Sequence, residues 1–203
     1  MAERLIPRDR NYLLEQSLIW AVTELPNGDA VQRRYVRPLL FEGPAVVWRN
    51  HEASLDLRSL EPASRRASTS ALQEYFVPTR HFGTFATEMI RIIREHRAKV
   101  LNVSIRNSPP EDVALLPWAR EHVFSFVLYY KRRTDAQGQE DTGHWTRAMI
   151  EAALKCHATY YLPYQLHATP APFAAAYPQA DAFRAVKRAV DPSGRLSNTL
   201  WQR

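Results

Sequence analysis

Between Gln73 and Leu162 the spacing of apolar residues changes period in a fixed order, and that order restricts the fold more than any other feature. Gln73–Val77 alternates as a strand and stops at Pro78, which has no N–H to continue a ladder. Residues 81–97 then carry Phe82, Phe85, Met89, Ile92 and Ile93 along one side at helical spacing, with Arg91, Arg94 and Glu95 outside. Val100–Ile105 returns to period two. After Pro109-Pro110, the acidic pair Glu111-Asp112 predicts a short helix running to Trp118. Val123–Tyr130, rich in aromatic and β-branched residues, predicts a third strand. Residues 134–143 are polar and predict a loop, after which Trp145, Met149, Ala152 and Cys156 form a helical stripe. Thr159–Leu162 predicts a last strand, halted by Pro163.

Strand, helix, strand, strand, helix, strand is the split β-α-β order of a ferredoxin-like fold: an α+β domain whose antiparallel sheet has both helices on one face. The other face is left to meet something else. A further helix over about 179–190, with Phe183, Val186 and Val190, ends at Asp191-Pro192-Ser193-Gly194. The N-terminal part is less patterned. It offers a helix over 12–22 (Leu13, Leu14, Leu18, Val22), a turn at Pro26-Asn27-Gly28-Asp29, a short strand at Ala45–Trp48, alternation over Ser54–Leu60 and a mobile surface loop at Pro62–Ser70. The expected division is therefore a connecting segment over 1–72 and a ferredoxin-like domain over 73–203.

Composition excludes several chemistries. With 203 residues, 45% hydrophobic and 24% charged, the chain is long enough and apolar enough to bury a core. Only 6 residues are glycine, and none forms a GxG pair or a GxxxxGK loop. A pyrophosphate cradle needs glycines, because a Cβ blocks the close backbone approach, so this chain has no dinucleotide loop of its own. The histidines form no HxxxH or HExxH, and the single Cys156 builds no structural zinc site, so no metal centre is expected. No GxSxG elbow is present. A lone cysteine fits a reducing, cytoplasmic compartment, and the longest apolar run, Val123–Tyr130, is too short to span a bilayer. The net charge of +6 is spread along the chain, which reads as a solvated surface and not as a nucleic-acid interface.

Three strand segments hold the candidate site. Asn102, Ser104 and Arg106 share one strand face by period two, against Leu101, Val103 and Ile105. Ser125, Val127 and Tyr129 share a face of the next strand. Tyr160, Leu162 and Tyr164 alternate with Tyr161, Pro163 and Gln165, and His167 follows. Tyrosine, glutamine and histidine gathered at a strand end suit a pocket for an amphipathic ligand, and equally suit half-buried packing.

Three stretches resemble the C-terminal half of FAD-linked oxidases of the vanillyl-alcohol-oxidase type. They are Gln73-Glu74-Tyr75-Phe76-Val77-Pro78 before a helix, and Val103-Ser104-Ile105-Arg106 with the later Phe126–Lys131 strand. The third runs from Tyr160-Tyr161-Leu162-Pro163-Tyr164-Gln165 through Tyr177-Pro178, Lys187 and Asp191-Pro192 to Gly194-Arg195-Leu196-Ser197-Asn198. The resemblance lies in their order and spacing over 73–198. It implies a cap domain that covers a flavin and holds substrate, with FAD bound mainly by a separate FAD-binding domain or subunit. It further implies oxidation of a CH–OH group of a sugar-like or other small-molecule alcohol, as in sugar-alcohol and lactone oxidases.

Carried over residue by residue, Arg106 matches the active-site arginine of sugar-alcohol oxidases, while Ser104 stands where those enzymes have a glutamate. Tyr129 falls on a substrate-facing strand position. Tyr164 or Gln165 falls near the flavin-proximal lysine of decaprenyl-phosphoryl-ribose oxidases, and the missing lysine argues against that substrate. Asn198 resembles a C-terminal residue that approaches the flavin. The implied roles are thus catalytic for Arg106, Tyr129 and Tyr164, flavin contact for Gln165 and Asn198, and substrate contact for Ser104, with His167 beside them. A cap without its flavin domain is expected to self-associate as a homo-oligomer or to bind an FAD-domain polypeptide. A non-catalytic ferredoxin-like binding module is the other reading of the same residues.

Overall fold

A computed structural model describes residues 12–36, 38 and 64–202. The chain divides between Ser70 and Ala71 into two units. In the first, helix α1 (Tyr12–Glu24) is followed by a turn through Asn27, whose φ of 59° is left-handed, and by a short helix α2 (Gly28–Val31) that runs into a π-helical turn at Gln32–Val36. Leu18 and Trp20 of α1 are exposed. The strand expected at 45–48 and the alternation at 54–60 lie outside the described residues.

The second unit is built on strands β1 (Ser68–Pro78), β2 (Lys99–Ser108), β3 (Val123–Arg133) and β4 (Thr159–Tyr160). They form one sheet in the order β2-β3-β1-β4, with β2 antiparallel to β3 and β1 antiparallel to β4. Helices α3 (Phe82–Glu95) and α4 (Ala136–Lys155) are the two crossovers. This is the α+β, ferredoxin-like arrangement that the periodicities predict. Phe85, Met89 and Ile92 of α3 and Trp145, Met149 and Ala153 of α4 bury against Tyr75 and Val77 of β1 and Phe126, Leu128 and Tyr130 of β3. Both helices therefore cover one face. After β4 come α5 (Pro170–Ala176) and α6 (Ala180–Val190). Phe183, Val186 and Val190 leave an apolar stripe of α6 exposed.

Edge strand β2 presents Lys99, Asn102, Arg106 and Asn107 to solvent, and its ladder with β3 is interrupted between Val100 and Asn102. Charges and a bulge are what keep a long edge from pairing with another chain.

Both helix-to-strand turns use the same device. After α3, Arg97 (φ 50°) lets Ala98 N–H reach the Ile93 carbonyl at 2.9 Å; after α4, His157 (φ 56°) lets Ala158 N–H reach that of Ala153 at 3.0 Å. These are Schellman-type closures with a side chain at the position glycine prefers.

Four local expectations need correction. Residues 134–143 are not a loop: α4 starts at Ala136 because Asp135 accepts from Gly138 N–H at 2.8 Å, an N-cap, and Thr142 Oγ1 donates to the Gly138 carbonyl at 2.7 Å. Residues 111–118 form bends and no helix. Glu111 does take the N–H groups of Val113 and Ala114, each at 2.7 Å, as a cap would. Pro117 then stops propagation, since in a helix its ring would strike the Val113 carbonyl. Of the loop expected at 62–70, Ser68–Ser70 already belongs to β1. The last strand is only Thr159–Tyr160, though Tyr161 N–H adds one more bond to the Glu74 carbonyl at 2.9 Å.

The α4 start depends on close packing. A Cβ on Gly138 would sit 2.3 Å from Arg133 Cβ and 2.9 Å from the Arg133 carbonyl oxygen, neither of which moves without the strand end. A Cβ on Gly143 meets only the end of the Arg147 side chain, 2.9 Å away. Gly138→Ala is therefore expected to cost about 1–3 kcal/mol, whereas Gly143→Ala gains up to about 1 kcal/mol from helix propensity. Urea denaturation of both variants checks the opposite signs.

The tail is fastened by one carboxylate. Asp191 accepts from Lys187 Nζ, one turn back on α6, and from the N–H groups of Arg195 and Leu196, each at 2.9 Å. Lys187 in turn lies 5.3 Å from the Trp201 ring centroid. The Lys187 bond, followed by the Leu196 and Arg195 N–H groups, holds the Asp191 carboxyl below the usual carboxylate range. The stability this adds is complete above the unfolded-state pKa of about 4 and is lost as pH falls through the lower folded-state value. In melts across that range, the gap between the native chain and Asp191→Asn should be constant near neutrality and should shrink below about pH 4.

Candidate functional site

The face of the sheet away from the helices carries a polar row. Register sets it: Asn102 stands opposite Tyr129, Ser104 opposite Val127 and Arg106 opposite Ser125, while Val103 and Ile105 pair with Leu128 and Phe126 on the helix side. Ser125 Oγ donates to Glu74 Oε1 on β1, so the row continues from β2 through β3 to β1. Beyond it, Tyr161 stacks edge-on against Tyr164, with ring centroids 4.8 Å apart. Part of this face is covered. Phe76 and Val123 pack with Trp118 and Ala119 of the 109–122 loop and with Tyr161.

Arg106 and Tyr164 are brought within electrostatic reach of each other. Burial pushes the Tyr164 hydroxyl up from its ordinary pKa, Glu74 and Tyr161 push it further, and Arg106 acts in the opposite direction. Tyr129 shares the face but stands four residues from Ser125 along β3, roughly 13 Å at strand rise. Register thus sets Tyr129 apart from Arg106, with Ser104 and Val127 between, and Arg106 is the smallest of the influences on Tyr164.

A second feature adjoins Tyr164. An open cavity of about 910 Å³ is lined by the loop Leu162–Thr169, by Arg132 at the end of β3, by Gln139, Glu140 and Arg147 of α4, and by Asn198–Leu200 of the tail. Tyr164, Gln165, His167 and Asn198 of the predicted set line it; Ser104, Arg106 and Tyr129 do not. Its walls are held independently. Pro170 opens α5. The Tyr177 hydroxyl donates to the Tyr160 carbonyl, and His167 N–H donates to the Gln165 carbonyl at 3.0 Å. Asn198 Oδ1 accepts from Trp201 N–H at 2.9 Å, which turns the tail along the cavity.

Arg132 and Arg147 were not among the sequence candidates. Arg132 sits in the basic run Lys131-Arg132-Arg133, which reads as solvated surface. The helical spacing of Glu140, Gly143 and Arg147 was the available signal: a glycine between two charged residues on one helix face leaves room beside them.

Among the described residues no group of three or more histidine, cysteine, aspartate or glutamate side chains is placed to hold a metal ion. The closely packed glycines approach the chain itself: Gly28 faces the Ala21 and Val22 carbonyls, and Gly138 faces Arg133. Gly83 and Gly194 stand in open space on separate elements. None of the described glycines therefore forms a cradle for the diphosphate of FAD. No described helix is long and apolar enough to cross a membrane. No protein-family model matches the chain, and no curated protein is significantly similar to it.

The Tyr164 environment is directly testable. Removing the carboxylate with Glu74→Gln should lower the Tyr164 pKa towards its ordinary value, and removing the cation with Arg106→Ala should raise it further. Ultraviolet titration of each variant, with the matching Tyr164→Phe chain subtracted, reads the two opposite shifts.

Proposed function

We propose that this chain is the substrate-facing cap half of an FAD-dependent oxidoreductase acting on a CH–OH group of a sugar-like or other alcohol, with FAD held by a separate domain or subunit. The supporting observation is the polar row Asn102, Ser104 and Arg106 on the helix-free side of the sheet, with Arg106 in register with Ser125 and Ser125 bonded to Glu74 of β1. On this reading Arg106 stabilises negative charge developing on the substrate oxygen. Tyr164, with its pKa raised, stays protonated at neutral pH and donates a hydrogen bond; it does not serve as the base. Gln165, His167 and Asn198 line the adjoining cavity and position the rest of the substrate. The exposed stripe Phe183, Val186 and Val190 is apolar surface of the kind a covering polypeptide buries.

The test is co-expression of the full chain with the FAD-binding domain of a vanillyl-alcohol-oxidase-type enzyme. A yellow complex that bleaches with a polyol is the expected result, whereas the chain alone takes up no stoichiometric FAD. In the complex, Arg106→Ala should lower kcat/KM roughly 10²-fold while flavin content stays constant. Absence of any complex, or a full-strength Arg106→Ala enzyme, overturns the proposal.

A further inference from the structure

Arg132 and Arg147 reach the same cavity from different elements, the end of β3 and the middle of α4. Both are half-buried. Among the described residues neither is engaged by a carboxylate: Glu140 lies 3.7 Å from His144 Nε2, and Asp141 accepts from Gln137. The Arg132 Nε is buried without a hydrogen-bond partner. The Arg132 Nε has lost water without gaining a partner, a cost that a bound anion would offset. Arg80, Arg91, Arg133 and Arg184 on the surface are each paired with a carboxylate.

The remaining polar lining is neutral and of mixed donor and acceptor character, with Gln139, Gln165, Thr169, Asn198 and Thr199. Glu140 is the one carboxylate on the wall. The geometry points to a binding site for a small phosphorylated, hydroxyl-bearing molecule, its phosphate held by Arg132 and Arg147 and its hydroxyls by the amide and hydroxyl side chains. Arginine suits this task because its planar fork gives paired, charge-assisted bonds to phosphate oxygens. A volume of about 910 Å³ lies within the range of small-molecule sites and leaves room for a sugar beyond the phosphate.

This site shares Gln165 and Asn198 with the substrate wall proposed above, but Arg132 and Arg147 hold the phosphate whether or not a flavin is near. A chain that never takes up a flavin domain would still bind the phosphate, and failure to bind it would leave the Arg106–Tyr164 reading to its own test. The experiment is calorimetric titration of the full chain with ribose 5-phosphate, ribose and inorganic phosphate. Saturable binding of ribose 5-phosphate, weaker binding of inorganic phosphate and none of ribose is the expected pattern. Arg147→Ala should weaken ribose 5-phosphate roughly tenfold or more, the loss expected for a charge-assisted bond. Glu140→Gln should tighten it by removing the opposing charge, and Arg188→Ala, on the exposed side of α6, should leave it unchanged. If Arg132→Ala does not fold, the Arg147 and Glu140 variants decide the matter. Absence of saturable binding, or equal affinity in folded Arg147→Ala and the native chain, overturns the proposal.

Discussion

The pairing of β2 with β3 governs which residues this protein shows to its surroundings. Side chains alternate across a strand, so a slip of β3 by one residue would carry Ser125 and Val127 into the helix-covered core, away from Arg106's face of β2, and turn Phe126 and Leu128 out. Burial opposes that slip. Phe126, Leu128 and Tyr130 pack under α3 and α4, with Phe126 in edge contact with Phe85 at 5.1 Å between ring centroids. Losing any one such aromatic from a core costs about 3–5 kcal/mol, far more than one strand hydrogen bond. The bulge between Val100 and Asn102 then absorbs the extra residue at the far end of β2. The polar row on the open face is a consequence of apolar packing on the other.

This is why the faces were legible in the sequence and the cavity was not. Period two assigns Asn102, Ser104 and Arg106 to one side without knowledge of any partner, and helical spacing assigns Phe85, Met89 and Ile92 to the core in the same way. Both are local rules. The cavity brings together Arg132, Arg147, the 162–169 loop and the 198–200 tail, four segments whose meeting depends on how α4, α5 and α6 pack. Nothing in the spacing of Arg132 and Arg147 marks them as neighbours. The separation of Tyr129 from Arg106 follows from register, which period alone does not supply.

The local misreadings have a common cause. At 134–143 polarity and two glycines outweighed Asp135, whose carboxylate caps the Gly138 N–H and starts a 20-residue helix. At 111–118 the acidic start outweighed Pro117, which ended a helix before it could form. In each case one residue with a specific backbone consequence decided the outcome against the average character of its segment. Asp135 supplies an acceptor to an otherwise orphaned donor, and Pro117 takes away a donor and adds a clash.

Asp191 shows the same logic at longer range. Its carboxylate joins α6 to the tail through Lys187, Arg195 and Leu196, and the tail then turns at Asn198 to form one wall of the cavity. The anchor is far from a surface ion pair of the usual kind: the Asp191 side chain is only 8% exposed and that of Lys187 16%. Such a pair is hard to lose in part, because removing one member leaves the other charged and covered. Protonating or replacing Asp191 therefore acts on two things together, the seating of α6 and the shape of the Asn198–Leu200 wall. The Asn198–Leu200 wall of the cavity is thus positioned by a carboxylate that does not itself line the cavity.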